Sequence, residues 1–367
     1  MDLFNYEIDL KSKDFNKFPH DFITKNDEKL LEQIKIKKEE LKDELVILVH
    51  HYQSKWITEL ADFVGDSFEL SKHASNQNAN KIIFAGVHFM AESADILAKD
   101  YQTVYLPNLK AGCPMADMAT IGEVESVWEQ LINFIDEEKL IPVCYMNSTA
   151  EIKAFCGKHN GIVCTSSNAM KVFEWAFKRG EKLLFLPDKN LGGNTADKYG
   201  IPQSEQLIFN VNEYLGGFTE EQIKSAKVIL WNGFCHVHTH FSPEMVEQIK
   251  KGNQNVKIIV HPEVNKDIIK VADEVGSTKY IVEYIKNSKP GDTIIVGTEI
   301  NLVYKMAQMF KDRNIIPLTK SLCPNMYRIN LTNFYETIMS FPKEKIVKVS
   351  PEIKEWARIA LQRMLDV

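Results

Sequence analysis

WNGFCHVHTH, Trp231–His240, follows the apolar run KVIL and places a thiol, three imidazoles and an indole within ten residues. A short apolar run that stops at Gly-Phe-Cys reads as a buried strand delivering side chains to a site at its carboxyl end. Two more cysteines sit in like settings. Cys113 in LKAGCPMADM and Cys323 in TKSLCPNMYR each follow a strand-like segment and precede Pro and a helix start. Three strand-end thiols so far apart in sequence imply separate lobes meeting at one point. There three thiolates would hold a metal centre and leave one coordination position free for substrate.

The chain has 367 residues, more than a single core usually organises, and 44% of them are apolar, enough for two or three compact lobes. Net charge is −6 and no Lys/Arg run is clustered, so no nucleic acid partner is expected. The N-terminal MDLFNYEIDL carries acids where a secretory signal needs basic and then apolar residues, and no apolar run reaches about 18 residues. The expectation is a cytoplasmic protein with no membrane partner. Six cysteines in such a chain read as thiols or metal ligands rather than disulfides.

Residues 1–40 read as a helical leader, its helix lying in NDEKLLEQIKIKKEELKDE with Asn26 as N-cap and Leu30, Leu31, Ile34 and Leu41 at helical spacing. From Leu45 short apolar runs alternate with helical segments: LVILVHHYQ, KIIFAGVHFMAES, TVYLPNLKAGC. That alternation predicts a parallel sheet covered on both faces, with ligands bound beyond the carboxyl ends of its strands. The plan recurs in IPVCYMNS, GIVCTSSNA, KLLFLPD and KVILWNGFC, interrupted by a polar, Gly-containing stretch from Lys189 to Thr219 that reads as a lid or an insertion. It recurs again in VKIIVHPEV, ADEVGST, DTIIVGTEI and NIIPLTKSLC.

From His50, Gly65 lies 15 residues on, Gly86 36 and Cys113 63; from His261, Gly276 lies 15 on, Gly297 36 and Cys323 62. The offset of 211 also pairs Tyr52 with Glu263, Ser67 with Thr278 and His88 with Glu299. A diverged internal repeat of this kind predicts an α/β fold of three similar three-layer αβα lobes with parallel sheets in pseudo-threefold arrangement. Lobe 1 is expected over 41–120, lobe 2 over 121–240 and lobe 3 over 241–325. The tail 326–367 is expected to pack back on lobe 1, its last helix seated through Ile353, Trp356, Ile359, Ala360 and Met364.

The ordered series HHYQ, GDS, FAGVHFMAE, AGCPMADM, YMNS, CTSSNA, FLPDKNLG, WNGFC, HPE, VGST, GTE and LCPNM, spanning about Val46 to Met326, resembles the quinolinate synthase family of NAD biosynthesis. The resemblance implies one central [4Fe-4S] cluster with an open iron site, carried here by Cys113, Cys235 and Cys323. It also implies condensation of iminoaspartate with dihydroxyacetone phosphate to quinolinate, releasing phosphate and two waters. Functional coupling to an aspartate oxidase or dehydrogenase follows from the same resemblance. Proton transfer in that chemistry points to His50, Tyr52, Tyr145, His238, His261 and Glu263. Anion binding points to hydroxyls and amides in strand-to-helix turns: Ser67, Ser166, Ser167, Asn168, Ser277 and Thr278, with Asn147 for a carboxylate or carbonyl. Sequence does not choose between Ser166 and Ser167.

Cys144, Cys156 and Cys164 lie inside strand-like or helical stretches and read as small buried hydrophobes, and His236 and His240 read as structural or surface residues. Met90, Met115 and Met118 read as packing. Some family members carry cysteines three and six residues before the third ligand, where a disulfide regulates the enzyme; Lys320 and Pro317 stand there in this chain. Two readings of other classes stand beside the family reading. One is a different three-cysteine iron-sulfur enzyme, such as a diphosphate reductase. The other is a non-enzymatic metal-binding regulator using Cys235, His238 and His240.

Overall fold

A computed structural model describes residues 24–253 and 255–367; most of the expected leader lies outside the described residues. Three sheets carry the molecule. The first is built from β1 (Leu45–His50), β2 (Phe63–Gly65), β3 (Lys81–Ala85) and β4 (Thr103–Tyr105). The second uses β5 (Leu140–Tyr145), β6 (Ile162–Cys164), β7 (Lys182–Leu186), β8 (Gln206–Phe209) and β9 (Val228–Trp231). The third uses β10 (Val256–Val260), β11 (Glu274–Val275), β12 (Thr293–Gly297) and β13 (Asn314–Pro317), and β14 (Ile346–Val347) returns to the first.

The spatial orders are β2-β1-β3-β4, β6-β5-β7-β9 and β11-β10-β12-β13, with β8 added beside β9 and β14 beside β4. All pairings are parallel except that of β14 with β4. One strand order thus occurs three times. The central strands β1 and β5 are buried along their whole length, as continuous apolar runs in a sheet covered on both faces should be. Apolar packing is continuous through the first two lobes, whereas the two faces of the third sheet form separate clusters around Val246, Ile258 and Ile295 and around Ile281, Ile285 and Leu302.

The stretch Lys189–Thr219 is not a lid. It forms the helix Lys189–Tyr199, which occupies the place of the helices His88–Leu97 and Ile300–Met309 after the third strand of each lobe, and then β8, an extra edge strand. The first helix runs Lys25–Leu41 and starts two residues earlier than the Asn26 cap requires. Thr24 is its N-cap, because its hydroxyl and the Asp27 carboxylate satisfy each other's backbone amides, leaving Asn26 inside the first turn.

The tail divides between lobes. β14 joins the first sheet, and Leu331–Ser340 packs on Lys25–Leu41. The final helix, Pro351–Asp366, lies mainly against Ala150–Lys158 and β6 of the second lobe, with a smaller contact to His88–Leu97 of the first. Its inward face is Ala357, Ala360, Leu361 and Met364, while Trp356 points outward at 38% exposure. The cause is close approach: a Cβ on Gly157 would fall on the Trp356 carbonyl, so only small residues fit where the two helices cross.

Candidate active site

The carboxyl ends of the first strands, β1, β5 and β10, open into one cavity, about 730 Å³ with the open solvent at its mouth included. Each ends in a turn that turns a site side chain inward. In the first lobe the Tyr52 amide donates to Nδ1 of His50 at 3.1 Å, and in the third the Glu263 amide donates to Nδ1 of His261 at 3.3 Å. The residues paired by the 211 offset therefore share a local geometry. His50, Tyr52, Tyr145, Asn147, His238, His261 and Glu263 all line the cavity.

Glu263 is the centre of the polar network. Its Oε1 accepts from the Tyr145 hydroxyl at 2.5 Å, and its Oε2 lies 2.6 Å from Nδ1 of His238. Nε2 of His238 lies 3.0 Å from the Thr298 hydroxyl, which is 2.8 Å from the Tyr52 hydroxyl, itself 3.0 Å from that of Thr278. His261 stacks on His238 with centroids 4.3 Å apart. Burial pushes the Glu263 carboxyl up, but the two imidazoles and the hydrogen bonds from His238 and Tyr145 outweigh it and hold the group below the ordinary carboxylate range. Burial drives the Tyr145 phenol well up, with the Glu263 charge adding to it. Burial drives the His261 imidazole down to about 3 and the His50 imidazole well below its ordinary value. Near neutral pH the cavity therefore holds an ionised carboxylate, protonated phenols and at least two neutral imidazoles.

The hydroxyl positions separate in space. Ser67, Ser166 and Thr278 line the cavity. Ser277 instead caps the helix Thr278–Asn287, accepting the Tyr280 amide, and Ser167 donates to Asp66 at 2.6 Å. Asn168 is turned into its own turn, where its side-chain oxygen accepts the Thr165 amide at 2.7 Å. Oδ1 of Asn147 is buried without a protein partner. Thr298 and Asp66 belong to the site but were not among the expected site residues. Thr298 lies in the GTE motif and Asp66 in GDS, so asking which hydroxyl or carboxylate sits beside each strand end would have found them.

Cys113, Cys235 and Cys323 line the same cavity from three different lobes. Each opens a tight turn that closes on its own carbonyl: the Asp117 amide donates to the Cys113 carbonyl, the His238 amide to that of Cys235 and the Met326 amide to that of Cys323, each at 3.2 Å. The loops are tied across lobes. Nε1 of Trp231 donates to the Met118 carbonyl at 2.6 Å, the Ser321 hydroxyl to the Val237 carbonyl at 2.7 Å, and the Gln53 amide to the Met326 sulfur at 3.4 Å. Burial raises all three thiols, Cys113 to about 12 and Cys323 to about 11, so the thiolates need a cationic centre beside them. Three thiols from three lobes, each at the head of a tight turn and facing one cavity, form a donor set that fits an iron-sulfur centre.

Cys144, Cys156 and Cys164 are buried in β5, in the helix Ala150–Lys158 and in β6, away from this cavity. Among the described residues, Cys235, His238 and Glu263 form one group whose ligand atoms lie within 4.8 Å of one another. His240 is exposed and outside it, so the local Cys235, His238 and His240 site is not formed. No helix among the described residues is long and apolar enough to cross a membrane.

Residues 32–366 match the family described as quinolinate synthetase A protein. The chain is 44% identical to the quinolinate synthase of Acidobacterium capsulatum, over 94% of this chain and 95% of that one. It is 45% identical to that of Corynebacterium glutamicum, over 95% and 90%, and 40% identical to that of Halobacterium salinarum over the full length of both. The family implies an iron-sulfur cofactor and small-molecule substrates. A family match over nearly the whole chain, on a three-lobed fold with three thiols at one cavity, means that the chain belongs to the quinolinate synthase family, enzymes of NAD biosynthesis.

Proposed function

We propose that the chain condenses iminoaspartate with dihydroxyacetone phosphate to quinolinate, releasing one phosphate and two waters, in the cavity at the three strand ends. The observation that carries this reading is the Glu263 carboxylate held between the Tyr145 hydroxyl and the His238 imidazole, in a cavity that also receives one thiol from each lobe. Cys113, Cys235 and Cys323 are the residues that would hold a [4Fe-4S] cluster. With three protein ligands such a cluster supplies a Lewis-acidic iron with one open position.

The remaining roles belong to side chains. Ser67, Ser166 and Thr278 stand at or before helix N-termini, where hydroxyls and backbone amides favour phosphate and carboxylate groups despite the net negative charge. The unpartnered Oδ1 of Asn147 is suited to accept a hydrogen bond from the substrate's nitrogen or hydroxyl. Ionised Glu263 removes a carbon-bound proton, and the Tyr145 phenol and His238 share the charge that moves with it. Neutral His50 and His261 can accept or relay protons as hydroxyls leave. Burial of the whole group keeps bulk water from competing for these protons.

The test is anaerobic turnover. The reconstituted protein is given dihydroxyacetone phosphate and iminoaspartate generated in place by an aspartate oxidase or dehydrogenase, and quinolinate and phosphate are followed together. Equal amounts of both without added reductant are expected. A requirement for a stoichiometric electron donor would favour the reductase class instead.

A further inference from the structure

Two helices from different lobes perform the same act on the loop of the next lobe. In the helix Lys189–Tyr199 the N-cap is Asp188, and six residues on, Nδ2 of Asn194 donates to the carbonyls of Pro262 and Val264 at 2.8 and 2.9 Å. In the helix Ile300–Met309 the N-cap is Glu299, and six residues on, Nζ of Lys305 donates to the carbonyls of His51 and Gln53 at 2.6 and 3.0 Å. The offset of 211 that pairs Tyr52 with Glu263 also pairs His51 with Pro262 and Gln53 with Val264. Both caps are acidic and accept the amide two residues on, Asn190 and Asn301. Helix position, cap and target carbonyls therefore all correspond.

We infer that Asn194 and Lys305 are equivalent positioning residues, each reaching across a junction between lobes to hold the two carbonyls that flank a site side chain, Glu263 in one case and Tyr52 in the other. The first carbonyl fixes the peptide plane that leads into the residue's Cα and the second fixes the plane one residue beyond, so the backbone that carries the side chain is pinned on both sides. At the first junction Asn301 adds a third bond, to the Tyr52 carbonyl at 3.0 Å. The junction between lobes 1 and 2 solves the same problem differently. There Lys153 donates to the Ser148 carbonyl at 2.7 Å and to that of Phe89 at 3.2 Å, while Glu92 accepts the Ala150 amide.

This inference rests on the roles proposed for Glu263 and Tyr52, and its test uses readouts that stand apart from them. Asn194→Ala, Lys305→Met and Lys305→Arg are compared with Lys266→Met, which removes the Lys266–Asp197 ion pair across the Asn194 junction without touching the carbonyls. Hydrogen exchange should speed up around 262–264 in Asn194→Ala and around 51–53 in Lys305→Met, each at its own loop, with Lys266→Met unchanged there. For quinolinate formation, kcat should fall about 10-fold to 100-fold with little change in KM, since misplacing a reacting group by about 1 Å has that effect. Lys305→Arg should restore most of the loss. Exchange that rises without loss of kcat would sustain the positioning and count against the catalytic roles. Exchange unchanged in both variants, or an equal effect of Lys266→Met, would overturn the inference. If Asn194→Ala fails to fold, the Lys305 pair decides by the same criteria at the equivalent junction.

Discussion

At Glu263 the side chain accepts one hydrogen bond on each oxygen and is buried to 2% exposure. Glu263→Gln keeps the shape but removes the charge and the base, so turnover per intact cluster should fall by about 10² to 10⁴, with cluster content unchanged. Turnover near wild type on that basis would make the residue structural. Lys153 tests burial rather than catalysis. Its ammonium is enclosed, and burial lowers it from 10.5 to about 8. Between about 8 and 10.5 the unfolded chain binds more protons than the folded one, so this group makes stability rise with pH across that window. The contribution is at most about 1.4 kcal/mol per pH unit. Urea unfolding of the apo-protein at several pH values should show that rise in wild type and lose it in Lys153→Met; identical slopes would contradict it. At this scale the sequence could pair Tyr52 with Glu263 by arithmetic. It could mark Thr298 only as a strand-end hydroxyl in GTE, because its contacts to His238 and Tyr52 bridge 60 and 246 positions and leave no local pattern.

Elements were legible where their period or caps are local. The apolar runs of β1, β5 and β10 and the helices between them follow from strand-helix alternation. What failed was the choice of face and boundary. Trp356 is large and apolar and so looked like an anchor for the last helix, but the crossing at Gly157 admits only small residues, and Ala357 and Ala360 take the inward face. The same crossing supplies a prediction. Gly157→Val should force the Pro351–Asp366 helix away from Ala150–Lys158 and cost about 1–3 kcal/mol, as overpacking does. Urea midpoints of the two proteins measure it, and an unchanged midpoint would mean that the helices do not touch as described. The stretch 189–219 misled because its glycines and polar residues resemble a loop. Gly192 is in fact where the helix packs against Phe185 and Leu230, too close for a side chain.

The repeated architecture was the most legible feature of the whole molecule, since one offset aligned two lobes and the strand order then recurs in all three sheets. The contacts between lobes were not legible, because each joins residues that neither period nor motif relates. The thiols are the exception. Their equivalent strand-end settings single out Cys113, Cys235 and Cys323 among six cysteines, and these three line the central cavity while the other three are enclosed elsewhere. The proposal that they alone hold the cofactor is tested most directly by iron and sulfide analysis of six single Cys→Ala variants after anaerobic reconstitution. Wild type and the Cys144, Cys156 and Cys164 variants should each hold about four irons and four sulfides per chain, and the Cys113, Cys235 and Cys323 variants should lose the cluster and all turnover. Full iron and sulfide in any of the last three, or loss of both in a folded Cys164→Ala, would contradict it.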